Sequence, residues 1–419
     1  NPWIKTPSMD KLWQESIRLT NYHVSPTCAP TRAALMTGRY NNRTGVWHTV
    51  TGRTLLRENE VTMAQVFEDN GYATGMFGKW HLGDNYPRRP IDLGFQKAVY
   101  FGGGAIGNAY DYWDNDYFDD HYYDNGELRQ FEGYCTDVWF REARKFIDSN
   151  KDKPFFCYLS TNAPHGPYHV EDKYSNQYKN DTLIPNANFY GMITNIDENL
   201  GKLRNYLNEE DLDDNTIFIF MTDNGSAAGV ITDGHWNDGT QTVYGFDAGM
   251  RGRKGSPYDG GHRVPCFIHW PAGGLNEGRD FNGLTAHIDI LPSLIEMCGL
   301  EKNEGPEFDG ISLWEYLNGI LKWKKGKRTL FVDSQRIEEP IYFRRSAVMQ
   351  RGWRLVFSGE LYNMKIDPGQ RLDVALRYPE KVKELQSLYD HWYNDVFSDY
   401  ETRSYIHIGS ESVPSMKLT

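Results

Sequence analysis

Cys28, Pro30 and Arg32 stand in the spacing Cys-x-Pro-x-Arg within the stretch HVSPTCAPTRAALMTGRYNNR, residues 23–43. Pro30 has the fixed φ suited to a first helical turn, Ala33, Ala34, Leu35 and Met36 carry a helix onward, and Gly38 is its expected stop. Cys28 therefore precedes a helix N-terminus, where unpaired backbone N–H groups and the positive end of the dipole gather. Arg32, one turn on, adds a full charge aimed at the same place. Such a corner attracts anions and is where the chemistry is expected. Read alone, Cys28 is also compatible with a buried structural cysteine before an ordinary helix, the commoner fate of that residue type.

Stepping outward along the chain, three apolar runs each end in polar residues. Tyr72–Phe77 leads into Lys79 and His81, Phe155–Ser160 leads into Asn162 and His165, and Ile217–Met221 leads into Asp223 and Asn224. Continuous apolar runs of this length read as strands buried on both faces, and open α/β sheets place ligands just beyond the carboxyl ends of such strands. Helices expected at Pro7–Trp13, Thr62–Asn70, Asn188–Leu207 and His287–Cys298 supply the crossovers. The expected fold is α/β, a large mainly parallel sheet between helical layers.

From about Arg328 the texture changes to short strands at 329–332, 341–343 and 353–357, closed by a helix over Pro379–Val396. This reads as a small antiparallel sheet with one packing helix, giving a catalytic domain over 1–327 and an α+β subdomain over 328–419. The segment 100–134, dense in Gly, Asp, Tyr and Trp, lacks clear periodicity and reads as a long surface excursion that either shapes substrate access or has no function.

The 419 residues are enough for a large core and carry a formal charge of −12. That balance argues against nucleic acid as a partner, so an anionic substrate must be drawn by a local cluster of Arg, Lys and His. Aromatics make up 14% of residues, with 12 Trp and 27 Tyr, which suits either a sugar-facing surface or a thick aromatic core. The five cysteines, Cys28, Cys135, Cys157, Cys266 and Cys298, show no zinc spacing and no CxxC pair; Cys157 and Cys266 sit in apolar runs and read as structural. No apolar stretch approaches membrane-spanning length, and no signal peptide is read at Asn1.

The segment SPTCAPTRAALMTGRY, residues 25–40, closely resembles the signature of the type I sulfatases, formylglycine-dependent arylsulfatases of the alkaline phosphatase superfamily. Further blocks follow in that family's order: GKWHLG at 78–83, NAPH at 162–165, TDNG at 222–225 and RKGSPYDGG at 253–261. The resemblance implies that Cys28 is oxidised to formylglycine by a formylglycine-generating enzyme. It implies hydrolysis of a sulfated carbohydrate or aryl sulfate through a sulfated enzyme, in which one hydroxyl of the hydrated aldehyde attacks sulfur and the second drives sulfate out. A serine could do the first step and would then stall, having no second hydroxyl.

On the same resemblance, Asp223, Asn224 and Cys28 occupy calcium-ligand positions. Arg32 and Lys79 steady the hydrated aldehyde, His81 takes its proton, and Lys79, His165 and Lys254 contact the sulfate, with His165 and Lys254 also neutralising the departing alkoxide. His48, His235, Trp236 and Arg344 are expected at the pocket walls. The family's tail, which Leu361–Gly369 resembles, leans the second domain on the first. A periplasmic or secreted location is implied by the resemblance alone. Family members also carry a strand ending in paired aspartates ahead of the helix that starts here at Pro7; this sequence reads as lacking both, so the expectation is a partial chain with weak or no metal occupancy. Alternatives are a phosphodiesterase or phosphonate monoester hydrolase on the same scaffold, or an inactive binder of sulfated glycans.

Overall fold

The computed structural model describes residues 1–50, 54–107, 111–232, 242–302, 305–323, 328–398, 400, 406–410 and 413–418. The elements used below are the helices α1 (Pro7–Glu15), α2 (Cys28–Thr37), α3 (Met63–Asp69), α4 (Cys135–Asn150), α5 (Ala187–Glu209), α6 (Ile290–Cys298) and α7 (Pro379–Phe397). The strands are β1 (Ile17–Leu19), β2 (Ala73–Lys79), β3 (Lys97–Phe101), β4 (His121–Asp124), β5 (Glu127–Gln130), β6 (Phe155–Ser160), β7 (Phe218–Met221), β8 (Cys266–His269), β9 (Asp280–Phe281), β10 (Leu330–Asp333), β11 (Ser346–Gln350), β12 (Trp353–Val356) and β13 (Glu360–Asn363).

Every residue of β2 is buried, as its composition of Ala, Thr, Gly, Met and Phe requires of a central strand. It pairs in parallel with β3 on one side and β6 on the other, within the order β5-β4-β3-β2-β6. The register sets Gly78 opposite Ser160, so the segments carrying Lys79, His81 and His165 leave the sheet at one level. Gly78 has φ +113°, and a Cβ there would stand 2.1 Å from the Ser160 carbonyl oxygen, which admits glycine alone. A second sheet has the order β9-β1-β8-β7 and mixes parallel and antiparallel pairs. The α/β architecture is as expected, but parallel pairing is a minority feature: β4, β5, β7 and β8 all join antiparallel neighbours.

Among the described residues no strand joins the two sheets. β6 and β7 are edge strands of their respective sheets, and a cavity of about 1400 Å³ lies between them, apolar along the strands and polar where it reaches Lys79, His165, Asp223, Asn224 and Lys254. Around the sheets, α4 turns Val138, Trp139, Ala143, Phe146 and Ile147 inward at helical spacing, and α2 is buried along its whole length. No helix among the described residues is long and apolar enough to cross a membrane.

Two expectations change. The excursion 100–134 contains the hairpin β4–β5, which extends the first sheet. Its turn, Asp124-Asn125-Gly126-Glu127, places Asn125 at φ +50° and Gly126 at φ +87°, the conformation that an Asn-Gly pair favours. Residues 341–343 form a turn rather than a strand; the strand lies at β11, and Phe343 instead stacks on Tyr389 of α7 with ring centroids 3.8 Å apart. The sheet β10-β11-β12-β13 is antiparallel throughout, and its residues share one apolar cluster with Ala34, Tyr40 and Tyr258. A hairpin of Ile406–Ser410 with Val413–Leu418 follows α7, which the sequence reading did not foresee.

Candidate active site

The helix α2 ends on Gly38 in the left-handed conformation, as its sequence predicts, but begins at Cys28 itself, with Thr27 as its cap, where the sequence alone places Cys28 ahead of the helix. Cys28 is buried, yet its electrostatic neighbours are Lys79, His81 and Lys254 rather than hydrocarbon. Burial acts to raise the thiol's pKa, and the surroundings, Lys79 first and then His81 and Lys254, overcome it, holding Cys28 well below the ordinary thiol value. The contrast with the other four is direct. Burial pushes Cys135 and Cys157 up to about 12 and raises Cys266 and Cys298 as well, and all five are free.

Backbone hydrogen bonds hold the contributing loops together: Gly225 N–H donates to Gly261 O at 2.9 Å, Lys254 N–H to Ser226 O at 3.1 Å and Gly255 N–H to Pro26 O at 2.8 Å. Through them the loops after β7, before β8 and before α2 form one floor. Arg32 is a strut within it. Its Nε and Nη2 donate to Asp223 Oδ2 at 3.0 and 2.9 Å, and its Nη1 donates to the Lys79 carbonyl at 2.7 Å and to Ser160 Oγ. The guanidinium is thus committed to placing Asp223 and the end of β2. Burial works against the charge of Asp223, but Arg32, Lys79 and Lys254 hold its carboxyl far below the usual range.

His81 sits at φ +65° beyond β2 and its Nε2 donates to the Thr49 carbonyl at 3.0 Å. In the neutral ring that bond places the proton on Nε2 and leaves Nδ1, which is buried, as the lone-pair nitrogen. Burial first, then Lys79 and Arg32, lower its pKa and keep the ring neutral despite the opposing effect of Cys28. His165 donates from Nδ1 to the Gly166 carbonyl at 2.7 Å, and burial with Lys79 and Lys254 takes its pKa down to about 4. Lys79 is lowered to about 8, chiefly by burial and then by Arg32 and Lys254, against the effects of Cys28 and Asp223.

The excursion 100–134 has a structural part in this. Tyr117 donates its hydroxyl to the His165 carbonyl at 3.1 Å, and Gly104 lies so close to the His81 ring that a Cβ would meet it at 3.0 Å. Asn162 is not turned to the site; it accepts from Trp139 Nε1 at 2.9 Å and anchors the loop. His48 accepts the backbone N–H groups of Thr49 and Val50 on Nδ1. Arg344 lies on the loop between β10 and β11. His235 and Trp236 lie outside the described residues. Arg336, which the sequence reading missed, comes close enough for Cys28 to influence its charge.

Asp223 and Asn224 are the oxygen donors available to a cation here. Asn224 Oδ1 is buried with no hydrogen-bond partner among the described residues, which suits a hard cation in chemistry. Among the described residues these two side chains fall short of the six to eight oxygens that calcium takes. A separate grouping with metal-ligand spacing, His23, Asp259 and His262, is partly engaged otherwise: His23 Nδ1 meets His262 Nδ1 at 2.9 Å, and Arg354 donates to Asp259 Oδ1 at 2.9 Å and meets His23 Nε2 at 3.1 Å, while Asp259 Oδ2 is buried with no hydrogen-bond partner among the described residues. With Arg354 and Arg263 both acting on it, this is a buried polar network tying β12 to the chain before α2.

The sulfatase family model matches residues 1–300. Arylsulfatase J of Mus musculus is 27% identical over 91% of this chain, which spans 71% of that protein. The ulvan-active sulfatase of Formosa agariphila is 29% identical over 74% of this chain, which spans 60% of that protein's length. Among solved structures, Ps i-CgsB in complex with k-i-k-neocarrahexaose superposes with a TM-score of 0.82 at 25% identity, covering 97% of this chain and 90% of that one.

Proposed function

Since this chain belongs to the sulfatase family, the sulfuric ester hydrolases with an alkaline phosphatase-like fold, we propose that it cleaves sulfate monoesters of a carbohydrate or aryl alcohol at position 28. The observation that carries this reading is the reversal at Cys28: one buried cysteine of five is driven toward its anionic form, and it is the one at a helix N-terminus among Lys79, His81 and Lys254. Oxidised to formylglycine and hydrated, residue 28 supplies two hydroxyls on one carbon, one to take the sulfuryl group and one whose ionisation releases it.

The neighbouring residues then have separable tasks. Lys79 and Lys254 bind the ester oxygens and share the charge that grows as the S–O bond breaks. His81 accepts a proton on Nδ1, because Nε2 is committed to Thr49. His165 is neutral in the free site with its proton on Nδ1 toward Gly166, and Lys254 delivers the proton to the departing oxygen. Arg32 keeps Asp223 and the end of β2 in place. A cation on Asp223 and Asn224, calcium by the nature of the donors, would add positive charge beside the sulfate. We assign maturation to a formylglycine-generating enzyme and location to the periplasm or the exterior on family grounds.

The test compares sulfate and phosphate release from 4-nitrophenyl esters and from sulfated monosaccharides on one preparation across pH. Sulfate esters are cleaved preferentially. Lys79 must be charged to hold the anion, so kcat/KM falls as pH rises through about 8, and His81 must be neutral, so it also falls in acid, below the ordinary imidazole value. A bound anion favours charged Lys79, which places the alkaline limb of kcat above that of kcat/KM. Exclusive cleavage of phosphate esters, or a rate still climbing well above about pH 8, contradicts the proposal.

A further inference from the structure

In a chain of net charge −12, Arg336, Arg344 and Arg345 lie on one loop that Arg336 carries to the site, and none of them makes an ion pair with a carboxylate among the described residues. The loop is the connection between β10 and β11. Asp333 at its start accepts from Ser346 Oγ at 2.7 Å, Tyr389 OH at 2.9 Å, Gln335 Nε2 at 3.0 Å and Asn42 Nδ2 at 3.1 Å. Gln335 then closes the loop on itself, donating to the Ile341 carbonyl at 3.0 Å and accepting the Ile341 N–H at 3.0 Å. The arginines are therefore carried on a braced segment rather than a loose one.

Arg336 is turned inward. Its Nη2 donates to Thr49 Oγ1 at 3.0 Å, and Thr49 is the residue whose carbonyl holds His81 Nε2. Its Nε is buried and has no hydrogen-bond partner among the described residues. Burial lowers the pKa of Arg336 and Cys28 is the one titratable group acting against that. Arg345 is lowered to about 10 by burial and then by the like charges of Arg344 and Arg336. Arg336 with a buried, unpartnered Nε, and Arg345 held against the like charges of Arg344 and Arg336, with no carboxylate partner among the described residues, amount to a site short of an anion.

We propose that Arg336, Arg344 and Arg345 form a second oxyanion subsite that binds an additional anionic group of the substrate, a sulfate or a carboxylate borne on the sugar, while position 28 acts on the scissile ester. The proposal rests on the sulfatase reading and names its substrate class: a saccharide with at least two anionic groups. Arg336, held on the side chain of Thr49, whose carbonyl braces His81, is the specificity-determining member. Its contact lies on the sugar side of the bond and sets KM rather than the chemical step.

The experiment measures kcat and KM of the wild-type chain, Arg336→Gln, Arg336→Lys and Arg345→Gln on four probes: 4-nitrophenyl sulfate, a neutral disaccharide with one sulfate ester, the same disaccharide with a second sulfate, and its uronate counterpart with one sulfate. The expected result is a KM for the dianionic probes raised about 10- to 100-fold in Arg336→Gln, the range of a lost charge-assisted hydrogen bond, with kcat unchanged and the two monoanionic probes within about twofold. Arg336→Lys recovers part of the loss, and Arg345→Gln shows the same pattern to a smaller degree. Whichever dianionic probe is favoured by the wild-type chain identifies the group as sulfate or carboxylate. Equal losses on all four probes, or no loss on the dianionic pair, overturn the subsite. A wild-type chain that cleaves no sulfate ester overturns the underlying reading instead, and melting curves of the variants separate misfolding from both.

Discussion

Replacing Cys28 with serine lowers steady-state turnover by about 10⁴-fold or more while permitting one sulfuryl transfer per chain. Serine is close to cysteine in size and sits at a helix start, so α2 and its buried contacts persist and the melting temperature stays near that of the parent. Its single hydroxyl lies where His81 Nδ1, Lys79 and Lys254 act on residue 28, so attack on sulfur proceeds. No second hydroxyl is present to drive release. Rapid-quench measurement of the alcohol product checks this: a burst of about one equivalent followed by near silence is the expected trace. Continued turnover in Cys28→Ser, or the same silence without a burst, contradicts the assigned role of residue 28.

Substituting His81 by asparagine costs about 10² to 10⁴ in kcat, the range of a lost general base, with little change in KM. Asparagine is the appropriate replacement because His81 occupies φ +65°, a region that Asn tolerates and most side chains do not. The variant thus removes the lone pair at Nδ1 without forcing the backbone that follows β2. The acid limb of the pH profile disappears with it, since His81 is the imidazole assigned as base, whereas His165 holds its Nδ1 proton on the Gly166 carbonyl. Retention of the acid limb in His81→Asn assigns that ionisation to another group.

Much of this arrangement was legible in the residues. Apolar runs followed at once by Lys79, by His165 and by Asp223 describe strands that deliver chemistry at their ends, and β2, β6 and β7 do so within a few residues of the expected bounds. The existence of α2 and its stop at Gly38 follow from proline, alanine and glycine preferences, which act locally, although the helix takes in Cys28, which the same preferences place ahead of it. The hairpin β4–β5 was missed because β5 is exposed along its length and shows no apolar alternation, although the Asn125-Gly126 pair signals its turn. Residues 341–343 read as a strand because they are apolar and aromatic, whereas that character serves packing of Tyr342 and Phe343 on α7.

The roles of single side chains were harder to read than their gathering. Nothing in the sequence tells that Arg32 is committed to Asp223, Ser160 and the Lys79 carbonyl, because that depends on the level at which β2 and β6 end. The proton positions on His81 and His165 are set by the carbonyls of Thr49 and Gly166, which belong to loops without regular structure. Arg336 lies in a stretch of mixed charge, Gln-Arg-Ile-Glu-Glu, with no motif, and reaches the neighbourhood of Cys28 through a loop braced by Asp333 and Gln335. Tertiary packing, not local pattern, makes that approach.

The central claim is that residue 28 carries the reaction as formylglycine. The most direct measurement prepares the chain with and without co-expressed formylglycine-generating enzyme, quantifies aldehyde and thiol at residue 28 by peptide mass mapping, and plots sulfatase activity against the aldehyde fraction. Activity proportional to that fraction, extrapolating to zero for pure thiol, is the predicted result. Full activity in a preparation whose residue 28 is entirely thiol contradicts the account.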